Sequence, residues 1–137
     1  MQHYLTVRQH FSAAHRIFNP SYSDARNAEV FGACSHPNYH GHNYEIEVTV
    51  RGEVHAETGM ILDLKRLKAV VQEALIEPMD HRNLNLDVPF MKGVIPTAEN
   101  IAAACFRILE KQLAQGSLYE VRLFETERNV AFCRAEE

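Results

Sequence analysis

His40-Gly41-His42-Asn43-Tyr44-Glu45-Ile46-Glu47-Val48-Thr49-Val50 is the stretch whose reading decides the fold. Tyr44, Ile46, Val48 and Val50 alternate with Glu45, Glu47, Thr49 and Arg51, the period of a strand with one buried face. His40 and His42 continue the apolar parity, so on a strand both imidazoles point to the same side. Residues 42–53 are therefore expected as the clearest strand of the chain.

Residues 4–15 read as a second strand, with Leu5, Val7, Phe11, Ala13 and His15 on one parity. If the two strands pair antiparallel, the end of the first lies beside the start of the second. His15 then meets His40 and His42 on one face, at one end of a sheet. Isolated histidines are mostly surface or hydrogen-bonded core residues. Three converging imidazoles instead suit zinc, and three protein ligands leave a fourth position open. Ligand type only biases the choice of metal.

The remaining pattern gives a short α+β chain. Residues 16–39 look irregular, punctuated by Asn19-Pro20, Gly32, Pro37 and Asn38. Asp63 can cap a helix over 64–76, which Glu77-Pro78 stops. Residues 77–96 read as a polar loop. Thr97 caps a second helix near 98–114, and residues 118–126 and 129–135 form a hairpin. No linker or internal repeat divides residues 1–137, so one domain is expected. Strands with two helices on one face make an α+β layer.

Composition narrows the function classes. The 137 residues suit one domain with a real core. A net charge of −4 with no Lys/Arg cluster speaks against a nucleic-acid surface. Apolar runs are too short for a membrane span, and the N-terminus lacks a signal pattern, which places the chain in the cytoplasm. Three cysteines argue against a disulfide framework; Cys105 and Cys133 read as core thiols.

Several other residues carry candidate chemistry. Cys34 sits in a polar loop, where nearby positive charge would make its thiol a base; alone it is equally an idle thiol. Asp80-His81 can relay a proton, although adjacent Asp and His also occur by chance. Glu125 has core parity at a strand end, which asks for a partner: Arg122 or Arg128, or a ligand presenting a planar N–H pair. Thr97 and Glu99 start a helix, where capping and the helix dipole already explain them. His36, between Cys34 and the histidine pair, has no assigned role.

Taken in order, Phe11-Ser12-Ala13-Ala14-His15-Arg16, Cys34, His40-Gly41-His42-Asn43-Tyr44, Gly59-Met60-Ile61, Asp80-His81-Arg82-Asn83-Leu84, Pro96-Thr97-Ala98-Glu99-Asn100 and Glu125-Thr126 resemble the 6-pyruvoyl-tetrahydropterin synthase family over roughly residues 5–135. Each motif alone is weak; their order is specific. The resemblance implies the tunnelling fold: a four-stranded antiparallel sheet with two helices on one face, joined between subunits into a barrel. Two trimeric rings would make a homohexamer with active sites between subunits. It further implies zinc on His15, His40 and His42, Cys34 as general base, and Asp80 with His81 as proton relay. Glu125 would anchor the pterin and join the relay, and Thr97 and Glu99 would line the pterin pocket.

The implied substrate is 7,8-dihydroneopterin triphosphate. The spacing Cys34-x5-His40 and the run Leu84-Asn85-Leu86-Asp87-Val88-Pro89-Phe90 look like the branch that forms 6-pyruvoyl-tetrahydropterin and triphosphate. Pro96-Thr97-Ala98-Glu99-Asn100 is common in the alternative, 6-carboxy-tetrahydropterin synthase, which releases acetaldehyde on the way to queuosine. A third branch carries Glu in place of the cysteine, against which Cys34 argues. The remote alternative is a non-catalytic, zinc-stabilised pterin-binding protein.

Overall fold

The computed structural model describes residues 1–136. In chain order the elements are strand β1 (His3–His15), helix α1 (Asp24–Phe31), strand β2 (His40–Gly52), helix α2 (Leu64–Val71), a π turn (Gln72–Ile76), the single helical turn α3 (Glu77–Met79), strand β3 (Arg82–Asn83), helix α4 (Ala98–Glu110), and strands β4 (Leu118–Phe124) and β5 (Val130–Arg134).

The expected antiparallel pairing of the first two strands is present. β1 and β2 run the length of each other, with Val7 opposite Val48, Phe11 opposite Tyr44 and His15 opposite His40. Alternation does the sorting: Val7, Phe11, Tyr44, Ile46, Val48 and Val50 turn to one face and are buried. Leu67, Val71 and Leu75 from α2 and the π turn, and Ile101, Cys105 and Leu109 from α4, complete the core as helical stripes. Truncating one of these, such as Leu75→Ala, is expected to cost about 2–5 kcal/mol.

The opposite face carries paired polar side chains. Arg8 Nε donates to Glu47 at 2.9 Å, and the Thr6 and Thr49 hydroxyls meet at 2.7 Å. Exposed pairs of this kind contribute at most about 1 kcal/mol each. They mainly keep the face wet and in register.

The sheet has five strands, not four, in the order β3-β1-β2-β4-β5. The four long strands are antiparallel neighbours, as expected. The extra one is the two-residue β3, which adds parallel to β1 at Ala13 and Ala14. Its brevity explains why no alternation betrays it.

Three further expectations need correction. Residues 16–39 are not wholly irregular, because α1 lies within them, capped by Ser23 Oγ accepting from Arg26 N. Its only buried residue is Asn27, held by amide bonds to Asn19 at 2.8 and 3.1 Å, so it shows no apolar stripe. The helix over 64–76 is part π turn and continues through Pro78. Pro78 follows directly on the π turn, where the regular hydrogen-bond ladder is already interrupted and Glu77 N bonds back to Gln72 O, so its ring and missing N–H are accommodated without ending the helix. The last long helix stops at Glu110, and the left-handed Gly116 belongs to the turn into β4.

Candidate metal centre and adjoining clefts

The end of β1, the start of β2 and the end of β4 lie along one border of the sheet. Phe11 pairs with Tyr44 and Glu45 with Phe124, so the next residue of β4's line, Glu125, falls beside the histidines. Parity turns His15, His40, His42, Tyr44 and Glu125 to the same face. Register and alternation alone therefore assemble the group.

The three imidazoles pack edge to face, with ring centroids 4.6, 5.1 and 5.0 Å apart. One nitrogen from each lies within 4.8 Å of the others, close enough to hold a metal ion. His15 is fully buried, and Nε2 of His15 and Nε2 of His42 have no hydrogen-bond partner. An unpartnered buried nitrogen costs about 1–3 kcal/mol. A metal ion bound by these lone pairs would remove that cost, so the residues fit the group.

Protonation points the same way. Burial pushes the His15 imidazole down to about 4, against the Pro96 carbonyl that favours its protonated form, and His40 and His42 lower it further. His40 is lowered by burial and by His42. Both rings are then neutral near pH 7, the form that coordinates a metal.

Glu125 closes the β4–β5 hairpin by donating its N–H to Asn129 O at 3.0 Å. Its carboxylate oxygens lie 4.0 Å from His15 Nε2 and 3.9 Å from His42 Nε2. Arg122 is engaged by Glu120 instead, at 3.1 Å. Glu125 lines two clefts. One, of about 470 Å³, includes Thr97, Glu99, Ile17 and Asn129; the other, of about 870 Å³, includes His42, Asn43, Arg8 and Thr126. Thr97 also caps α4, accepting from Asn100 N at 3.2 Å, and Glu99 is exposed in the first turn.

Asp80 and His81 line neither cleft of Glu125, but they adjoin the larger one at Ser12. Asp80 Oδ1 accepts from Ser12 N at 2.9 Å, and Oδ2 lies 3.0 Å from His81 Nδ1. Donation from Ser12 N–H is the main cause that holds the Asp80 carboxyl below its ordinary value, and the His81 contact adds to it. His81 adopts φ 60°, a left-handed conformation uncommon outside glycine, and its N–H donates to Ser12 O. Its side chain is 84% exposed and lines a third cleft, of about 530 Å³, together with His42.

Cys34 is half-buried in a 3₁₀ turn over Gly32–Ser35. Its carbonyl accepts from Ile17 N at 2.8 Å, which ties the turn to the chain two residues beyond His15. Neither cleft lined by Glu125 includes Cys34 or Asp80. His36 is exposed, and its Nδ1 accepts from Asn38 N.

Two contributors have little or no sequence signal. Tyr44 shares the histidines' parity one step further along β2, yet reads as core; its hydroxyl lies 3.2 Å from His15 Nδ1. Pro96 acts through its backbone carbonyl, 2.8 Å from the same nitrogen, which no side-chain pattern reveals.

An α+β sheet carrying three imidazoles placed to hold a metal ion, with a carboxylate at their rim and clefts on either side, defines an α+β domain with a candidate metal centre. Comparison with known proteins makes this particular. The family model described as 6-pyruvoyl tetrahydropterin synthase matches residues 4–136. The Pongo abelii 6-pyruvoyl tetrahydrobiopterin synthase is 45% identical over 126 residues, 92% of this chain and 87% of that protein. The Homo sapiens protein of the same name is 44% identical over the same shares. The solved structure of Caenorhabditis elegans 6-pyruvoyl tetrahydropterin synthase superposes with a TM-score of 0.93 at 38% identity, covering 99% of this chain and 97% of that one. The chain belongs to the 6-pyruvoyl tetrahydropterin synthase family.

Proposed function

We propose that this chain is a zinc-dependent enzyme that converts 7,8-dihydroneopterin triphosphate to 6-pyruvoyl-tetrahydropterin and triphosphate. The observation that carries the reading is the group of His15, His40 and His42, with unpartnered imidazole nitrogens and Glu125 at its rim. These three histidines would hold the zinc. When bound, it supplies Lewis acidity that polarises the substrate's side-chain oxygens and acidifies the neighbouring C–H.

The chain's own residues do the rest. Glu125, a carboxylate at the mouth of two clefts, accepts hydrogen bonds from the planar N–H pair of the pterin's aminopyrimidinone edge. Thr97 and Glu99 line the cleft that receives the ring. Cys34, as thiolate, takes the side-chain proton. His81, oriented by Asp80, gives a proton back, so the redox change stays within the substrate while triphosphate leaves.

Cys34 lines none of the three clefts, and His81 lines one that adjoins the larger Glu125 cleft through Ser12, Gly41, His42 and Asn43; the absence of Cys34 from all of them favours a site shared between subunits. Two open sheet edges offer the joint. β1 meets β3 only at Ala13 and Ala14, and β5 ends the strand order. Tyr4 near one edge and Phe132 at the other are 52% and 47% exposed. Joining such edges between copies leaves no unpaired strand. We assign a cytoplasmic homohexamer, two stacked trimeric rings; no helix among the described residues is long and apolar enough to cross a membrane.

The test is to incubate zinc-loaded protein with 7,8-dihydroneopterin triphosphate and identify the products. Triphosphate with a retained three-carbon side chain supports the reading. Acetaldehyde release places the chain on the carboxy branch, and zinc-loaded protein that consumes no substrate refutes catalysis on it.

A further inference from the structure

His15 is the one metal-binding histidine that is fully buried, and its outward nitrogen is engaged from behind. We propose that Asn100 and Tyr44 are positioning residues of the metal centre: with the Pro96 carbonyl they fix His15 in the Nδ1–H tautomer, leaving Nε2 free to coordinate. The proposal rests on the metal reading above and adds what makes His15 a ligand.

The argument starts from one bond. Pro96 O lies 2.8 Å from His15 Nδ1 in a buried contact. A carbonyl only accepts, so Nδ1 carries the hydrogen. A neutral imidazole has one such hydrogen, and Nε2 is therefore the lone pair. That nitrogen is buried without a partner and belongs to the group with His40 and His42. In metal sites, such a backing acceptor sets ring orientation and ligand basicity.

The residues on either side of that carbonyl are themselves held. Asn100 Nδ2 donates to Ile95 O at 2.9 Å, and Asn100 N donates to Thr97 Oγ1 at 3.2 Å. Thr97 N also donates to Ile95 O, at 2.8 Å. One asparagine thus clasps both neighbours of Pro96, whose ring already restricts φ. Asn100 is exposed, so the clasp contributes no core packing.

Tyr44 completes the support. Its hydroxyl oxygen lies 3.2 Å from His15 Nδ1, whose hydrogen is directed mainly at Pro96, so the oxygen is the second acceptor of a three-centre bond. The ring is fully buried, stacked on Phe11 at 4.9 Å and edge-on to His42 at 5.6 Å. It therefore has one place to sit, and that place is against His15.

The experiment uses ¹⁵N-labelled protein, stripped of metal for the spectra, with zinc as the metal probe. Two-bond ¹⁵N–¹H correlation spectra at neutral pH should show wild-type His15 as the Nδ1–H tautomer and Asn100→Ala as a mixture. Chelator competition should show zinc binding weakened about tenfold in both Asn100→Ala and Tyr44→Phe, the lower end for outer-shell substitutions. Should Asn100→Ala not fold, Asn100→Asp, which keeps the backbone bond and loses the Nδ2–H donor, is read in the same way. Wild type that binds zinc with His15 as the Nε2–H tautomer overturns this proposal alone, as do variants with unchanged tautomer and affinity. Wild type with the Nδ1–H tautomer that takes up no zinc overturns the metal reading, and the proposal with it.

Discussion

Glu125 Oε2 stands 4.0 Å from His15 Nε2, on the face that the three imidazoles share. That gap is too wide for a hydrogen bond and leaves the carboxylate at the rim of the three-histidine group, open to a ligand. Glu125→Gln keeps the shape and removes the charge. Zinc content is expected to stay at wild-type level, while pterin affinity falls by roughly tenfold or more, the weight of a charge-assisted bond of about 1.5–3 kcal/mol. Metal analysis and equilibrium binding of a pterin check both halves. Loss of zinc would make Glu125 a ligand, and unchanged affinity would make it structural.

Cys34 is the residue on which the base assignment depends. Its thiol side chain is half-buried, and the carbonyl, not the sulfur, makes its bond to Ile17. Cys34→Ala should therefore leave the fold and the zinc content intact. Turnover should fall by about 10²–10⁴, the usual weight of a general base. Steady-state kinetics beside a metal analysis decide it: near-normal turnover removes Cys34 from the mechanism.

The Asp80–His81 pair predicts a different pattern. Asp80→Asn retains an oxygen to accept from Ser12 N–H, so the chain should stay folded, but it no longer offers a charge to His81 at 3.0 Å. Turnover is expected to drop by roughly 10², with little change in substrate affinity. A variant that binds less and turns over normally would show that the pair holds substrate rather than moving a proton.

Strand parity and connectivity together made the histidine group legible. His40, His42 and His15 lie one residue apart or at paired strand ends, and the period of two turns them to one face. α2 and α4 were legible from Asp63 and Thr97, whose side chains do accept from Lys65 N and Asn100 N. α1 was not, because amide bonds from Asn27 hold it in place of an apolar stripe. β3 was not, because two residues cannot show a period. The Pro96 carbonyl behind His15 lies outside any reading of side chains. For Cys34 and His81, sequence order named the residues; the fold puts His81 in a cleft adjoining that of Glu125 through Ser12, Gly41, His42 and Asn43, while Cys34 lines neither.

Glu120 gives a prediction about stability and acid that is independent of the site. It lies on the sheet face away from the helices, 8% exposed, with Arg134 Nε at 2.6 Å and Arg122 Nε at 3.1 Å. Burial alone would raise its carboxyl, but the bonds from Arg134 and Arg122 outweigh it and hold the group below the ordinary 4.5. A depressed carboxyl contributes stability that is complete above the unfolded value and is lost as pH falls through the folded one. Glu120→Gln should therefore cost about 1 kcal/mol at pH 7, the upper range for partly exposed ion pairs. The difference should shrink as the pH is lowered below the folded value, where the wild-type carboxyl is also neutral. Urea unfolding of both proteins at neutral and acid pH, at one protein concentration, reads the effect directly. A gap that persists undiminished in acid would mean that packing, and not the charge on Glu120, holds Arg122 and Arg134 in place.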